Sequence, residues 1–291
     1  MKNKLSGIFA PINTPFTPAE EVDYEGLIRN LKFYLGTKLS GLLLLGSNAE
    51  YKSLSEDEKI KILETAMGIV SGQKIIVVGL MYDSFYLAKK FIEKVSELQI
   101  DYLLVQPPFY FKAKFTEEDY FHYFSDLNEI SPFPILIYNA PGFTGIDLSE
   151  QVINRIAELS KVQGIKDSSK LKKELNNKLS VLTGTINTLY EMLEINAVGG
   201  VVSLANFIPE LPVRIFNEYM AGNKEQAKDL QKVAFKLNNS ISGKSGVAGV
   251  KAAMEAMGLA GGGLRKPLRK LPVREIENIK LLIKEYYPDG Q

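Results

Sequence analysis

Cysteine is absent from this 291-residue chain, which excludes disulfides, thiol nucleophiles and cysteine-ligated metal sites. Histidine is nearly absent. The one imidazole, His122, lies in Tyr120-Phe121-His122-Tyr123-Phe124 on an expected amphipathic helix, where a packed or half-exposed ring is the ordinary outcome. Histidine-rich zinc sites and H-E-x-x-H chemistry are therefore ruled out, and a Ser-His-Asp triad would have to use this residue. Charge of one sign is lacking too: 35 basic residues face 34 acidic ones, for a formal net charge of +1. No global field favours nucleic acid or an anionic membrane as partner. Met1 to Ser6 carries charge without the apolar core of a signal peptide, and no uninterrupted apolar run reaches membrane-spanning length. A cytoplasmic protein without nucleic-acid or membrane partners is the expectation. Catalysis, if any, is left to lysine, tyrosine, hydroxyls, carboxylates and backbone amides.

What is present is a 45% hydrophobic chain, enough for one large α/β barrel or two domains. Eight short apolar runs stand at Gly7 to Ile12, Gly41 to Leu45, Ile75 to Val78, Tyr102 to Val105, Ile135 to Tyr138, Val162 to Lys166, Ser180 to Leu182 and Gly200 to Ser203. Helix-period segments separate them near Tyr24 to Gly36, Glu56 to Val70, Ser84 to Leu98, Thr116 to Asn128, Leu148 to Leu159, Leu171 to Lys178 and Leu189 to Ile195. Ser55-Glu56-Asp57-Glu58 is a capping box, and Thr116-Glu117-Glu118-Asp119 resembles one. Strict alternation of strand and helix implies a parallel sheet with crossover helices, and eight such units imply closure. An open doubly wound sheet is the alternative, but Asn13-Thr14-Pro15 after the first run lacks the glycine-rich dinucleotide fingerprint.

From Ile208 to Tyr287 only helical periodicity appears, interrupted at Gly222-Asn223, Gly243 to Gly246, Gly258 to Gly263 and Leu271-Pro272. The expected fold is thus a (β/α)8 TIM barrel over residues 1–207 with a C-terminal helical extension over 208–291, three or four helices packed on the barrel. Gly261-Gly262-Gly263 has no preceding strand and reads as a helix-breaking loop rather than a phosphate cradle. The Arg265 to Lys270 basic cluster reads as a solvated loop rather than a nucleic-acid patch.

Barrels of this kind do their chemistry at the carboxyl ends of the strands. In Val162 to Ser169, alternation puts Val162, Gly164 and Lys166 on one side. If that side is the barrel interior, Lys166 is desolvated, and burial lowers an ammonium pKa toward the neutral amine that Schiff-base enzymes use. The plainer reading is a strand-end lysine held by a carboxylate such as Asp167. Other strand ends carry Gly46-Ser47-Asn48-Ala49-Glu50, whose amides and hydroxyl suit a carboxylate; the aromatic Pro107 to Phe111, core or subunit contact; Tyr138-Asn139-Ala140-Pro141, a phenol beside the lysine strand; Thr183-Gly184-Thr185; and Ser203. Each is unexceptional alone. Together they could activate a carbonyl compound.

Six segments in order resemble those of the dihydrodipicolinate synthase / N-acetylneuraminate lyase superfamily of pyruvate-handling, Schiff-base barrels. They are Thr14-Pro15-Phe16, Gly46-Ser47-Asn48-x-Glu50, Pro108-Phe109-Tyr110, Tyr138-Asn139-Ala140-Pro141, Gly164-Ile165-Lys166-Asp167 and Gly199-Gly200-Val201-Val202-Ser203. The resemblance spans nearly the whole chain. It implies that Lys166 forms an imine with a 2-oxo acid, with Tyr138 as general acid/base relaying protons through Ser47 and through Tyr110 of a neighbouring subunit. It further implies that the Ser47 and Asn48 amides hold the pyruvyl carboxylate, that Val202 lies against the imine through its carbonyl, and that Ser168, Thr185 and Ser203 wall the variable half of the substrate. No metal and no organic cofactor is implied. The partners implied are pyruvate with an aldehyde, or the aldol itself, and further copies of the chain in a homotetramer or homodimer.

The chain departs from the synthases in three places. Phe143 stands where they carry an arginine, and a phenyl ring cannot grip a carboxylate bidentately. Gly184-Thr185-Ile186 replaces their usual Gly-Asp-Asp. Ala49 replaces the usual glycine before Glu50, a costly change if that position needs positive φ. The Ser-Asn loop, the Val198 to Val201 run and the Gly249-Val250-Lys251 helix look more like 4-hydroxy-2-oxoglutarate aldolase, with 2-keto-3-deoxy sugar-acid aldolases close behind. The leading expectation is therefore a pyruvate-dependent lyase that cleaves or forms a 4-hydroxy-2-oxo acid. The alternatives are 4-hydroxy-tetrahydrodipicolinate synthase and a barrel that binds an oxo acid or sugar acid without turnover.

Overall fold

The structure, a computed structural model, describes residues 5–169 and 175–287. The apolar runs form strands β1 (Gly7–Pro11), β2 (Gly41–Leu44), β3 (Ile75–Leu80), β4 (Tyr102–Val105), β5 (Ile135–Asn139), β6 (Val162–Asp167), β7 (Ser180–Thr183) and β8 (Gly199–Val201), hydrogen-bonded in sequence order into a closed barrel. Every pairing is parallel, and β8 returns to β1. Strands such as Ile75–Leu80 are buried throughout because one face fills the barrel and the other meets helices. The closing seam requires glycine: at Gly199, φ +149, an added Cβ would sit 1.9 Å from the Gly7 carbonyl oxygen.

The connecting helices are α1 (Tyr24–Leu35), α2 (Glu56–Val70), α3 (Phe85–Val95), α4 (Glu117–Ile130), the one-turn α5 (Pro141–Thr144), α6 (Glu150–Ile156) and α7 (Leu189–Glu194). Both expected N-terminal signals are formed. Ser55 and Glu58 make a reciprocal capping box on α2, and Thr116 and Asp119 make one on α4. His122 is exposed on α4, 3.4 Å from Glu118. Of the helix expected at Leu171 to Lys178, residues 171–174 lie outside the described residues, and Leu175 to Lys178 is not helical.

Beyond β8 the chain forms α8 (Glu210–Met220), α9 (Lys224–Ser240), α10 (Ser242–Ala256) and α11 (Val273–Tyr286). The break expected at Gly243 to Gly246 is instead a bend inside α10, where Gly246 takes φ 55, ψ −140; the interruption between α9 and α10 falls at Ile241. Glycine lets the chain turn sharply at one residue and resume the helix. The solvated reading of the 265–270 cluster holds from Lys266 to Lys270, which are exposed, but not at Arg265. Its guanidinium grips both Glu58 carboxylate oxygens and the Ser53 and Glu20 carbonyls, and lies 4.4 Å from the Phe16 ring centroid. Among the described residues, no helix is long and apolar enough to cross a membrane.

Candidate active site

Lys166 and Tyr138 are register partners on β6 and β5, and both are buried, at 6% and 1% exposure. The Lys166 Nζ lies 4.2 Å from the Tyr138 ring centroid. No ion pair to Lys166 occurs among the described residues. Asp167, the counter-ion of the plainer reading, is turned elsewhere: it accepts from Asn139 Nδ2 at 2.7 Å and from Ser169 Oγ at 2.8 Å. Asn139 is itself fixed to Asp147 and to the Leu148 amide, so this acidic group is occupied in holding the ends of β5 and β6 together.

Facing this pair is the loop after β2. Ser47–Ala49 forms a single 3-10 turn that brings Ser47 Oγ to 3.2 Å from the Tyr138 hydroxyl. The amides of Ser47 and Asn48 head that turn, where a helix leaves its first N–H groups without intrahelical partners. Asn48 Nδ2 donates to Ser203 Oγ at 2.8 Å. Positive φ flanks the turn at Leu45 (54°) and Glu50 (55°) and does not fall on Ala49. The cost expected of Ala49 therefore does not arise; its carbonyl instead accepts from Thr14 Oγ1 at 2.9 Å.

A cavity of ≈ 280 Å³ joins these groups. Of the expected residues, Lys166, Tyr138, Ser47, Asn48, Ser168, Thr185, Ser203 and Phe143 all line it. Ser168 Oγ is buried without a hydrogen-bond partner among the described residues, and Phe143, 70% exposed on α5, sits at the rim. Among the described residues lining the cavity, Lys166 alone is charged.

Two residues do not line this wall with their side chains: Val202, whose expected part is that of its carbonyl, and Tyr110, expected at the site of a neighbouring copy. At the end of β8 Val201 lines the cavity, whereas Val202 is fully buried and its carbonyl accepts the Ala205 amide. Alternation sends these adjacent side chains to opposite faces; the part expected of Val202 belongs to its backbone carbonyl, which alternation does not displace. Tyr110 is 76% exposed and packs edge-on against Phe111, while its amide and that of Phe109 bind Asp83. Sequence reasoning missed Met81 after β3, and Asn238, Ser242, Gly246 and Val247 of α9 and α10, which close the cavity from outside the barrel. No motif marks them; the available signal is the glycine pair Gly243 and Gly246, which interrupts the helical periodicity. No cluster of three or more His, Asp or Glu side chains fit to hold a metal ion occurs among the described residues.

Residues 4–286 match the Dihydrodipicolinate synthetase family. The chain is 27% identical to the 4-hydroxy-tetrahydrodipicolinate synthase of Methanococcus aeolicus, over 97% of this chain and 99% of the relative. Among solved structures it resembles the dihydrodipicolinate synthase of Thermotoga maritima (26% identity, 97% and 98% of the two chains, TM-score 0.90). It equally resembles the chloride-inhibited dihydrodipicolinate synthase of Acinetobacter baumannii complexed with pyruvate (26% identity, 97% and 99%, TM-score 0.91).

Proposed function

Because the chain belongs to the dihydrodipicolinate synthetase family, enzymes that act on carbon–carbon bonds through a lysine Schiff base, we propose that Lys166 is its imine-forming lysine and that it holds pyruvate or the pyruvyl half of an aldol. The supporting observation is a buried strand-end lysine, free of ion pairs among the described residues, packed on a tyrosine whose hydroxyl meets Ser47. As a free amine, Lys166 Nζ adds to the C2 ketone, and loss of water leaves an iminium. In the cleavage direction the C3–C4 bond breaks as its electron pair moves into the iminium, giving an enamine and an aldehyde. Tyr138 takes the C4 hydroxyl proton, passing it through Ser47; protonation at C3 and hydrolysis then release pyruvate. The Ser47 and Asn48 amides hold the carboxylate, the Val202 carbonyl attends the imine, and Ser168, Thr185 and Ser203 face the variable half. Tyr110, exposed beside Phe111, completes the relay of a neighbouring copy in a homotetramer or homodimer.

For the aldehyde half, the mouth supports cleavage or formation of a 4-hydroxy-2-oxo acid, because Phe143 presents a ring where a carboxylate-gripping guanidinium would stand. The second reading, 4-hydroxy-tetrahydrodipicolinate synthase, has the stronger backing from the relatives, which carry that name. Binding without turnover is set aside by the enzymatic character of the family.

Borohydride with pyruvate should add one reduced pyruvyl group, located at Lys166 by peptide mass analysis. Folded protein that gives no adduct would overturn the proposal. Pyruvate release from a panel of 4-hydroxy-2-oxo acids, set against turnover of pyruvate with aspartate semialdehyde, separates the two reactions.

A further inference from the structure

We infer that Lys251, on α10 and outside the barrel, is a positioning residue for the pyruvate site, acting through a buried ion pair with Glu50 that sets the turn bearing Ser47 and Asn48. The inference rests on the function proposed above. Lys251 Nζ lies 2.6 Å from Glu50 Oε1, and the two side chains are 2% and 1% exposed. The same ammonium donates to the Thr14 carbonyl at 2.7 Å and the Gly263 carbonyl at 2.6 Å, and stands 4.5 Å from the Phe16 ring centroid. Glu50 Oε2 accepts the Arg265 amide at 3.1 Å.

Three separate stretches therefore meet at one ammonium: the segment after β1, the turn after β2 and the C-terminal extension. Glu50 is the residue that ends the Ser47–Ala49 turn, and it does so at φ 55, ψ 40. A side chain in that region persists only where its surroundings hold it. The holder here is Lys251, seconded by Thr14, whose hydroxyl reaches Ala49 next door. Release of Glu50 lets the turn relax, and the two amides proposed to hold the pyruvyl carboxylate turn with it. Phe16 lies against both Lys251 and Arg265, which gives Thr14-Pro15-Phe16 a physical part in the same junction.

A pair that merely stabilised the fold would lower the unfolding temperature and leave the folded site's affinity for pyruvate unchanged. The double variant Glu50→Gln/Lys251→Met removes the pair without stranding a buried charge. With circular dichroism and thermal unfolding reporting the folded state, the pyruvate concentration for half-maximal borohydride trapping should rise at least tenfold, while trapping at saturating pyruvate stays within threefold of wild type. Should the double variant not fold, Glu50→Gln alone carries the same measurement, since Lys251 keeps two carbonyls and the Phe16 ring. Half-saturation unchanged in a folded variant would overturn the inference. Absence of trapping in the wild-type protein would instead defeat the function it rests on.

Discussion

Lys166 and Lys251 are buried almost equally, at 6% and 2% exposure, yet they sit in opposite kinds of place. Lys251 is enclosed by a carboxylate, two carbonyls and an aromatic ring; burial pushes its pKa down and Glu50 pulls it back up. Lys166 has a ring on one side and a cavity on the other, with no counter-ion among the described residues. Desolvation by itself does not make a lysine nucleophilic. An amine also needs room at Nζ for a carbonyl carbon, and the absence of a partner that would have to be displaced first.

The largest loss is expected at Lys166. Lys166→Met should abolish the pyruvate adduct and lower turnover by about 10⁴-fold or more, with no adduct appearing at Lys251 by mass analysis. Tyr138→Phe should leave adduct formation possible while lowering steady-state pyruvate release by about 10²–10⁴-fold, the usual range for a general acid/base. At the other lysine the damage shifts from chemistry to pyruvate affinity and stability. Lys251→Met strands the Glu50 carboxylate and should cost about 3–5 kcal/mol in denaturant unfolding, while the protein that remains folded still forms its adduct at Lys166.

The smallest expected effect lies at the rim of the same junction. Hydrogen bonding to Arg265 holds the Glu58 carboxyl at about 2, below its ordinary 4.5. A depressed carboxyl stabilises the fold above its unfolded pKa, and that contribution is lost as pH falls from about 4.5 to about 2. Glu58→Gln should accordingly show a lower urea midpoint than wild type at pH 7, with the two converging in acid. Parallel midpoints across that window would contradict the assignment.

Much of this protein is readable before folding because its information is local. Ser55 and Glu58 are three residues apart, and their capping box forms as read. Apolar runs bounded by helical segments made the barrel legible, and a lysine and a tyrosine ending neighbouring runs became register partners. The failures are equally specific. Arg265 read as one more charge in a basic loop, although it binds Glu58 from across the fold. Ala49 drew suspicion for a strain that Leu45 and Glu50 carry.

Periodicity, caps and strand-end residues are properties of short windows, and they suffice for the eight-stranded barrel, its helical tail and the Lys166–Tyr138 pair. Which lysine lies open and which is locked depends on contacts between distant segments. Glu50, Thr14, Gly263 and Lys251 share no local pattern and meet because the tail folds back across the loops after β1 and β2. Burial and counter-charge depend on distances in space, and separation along the chain does not encode them.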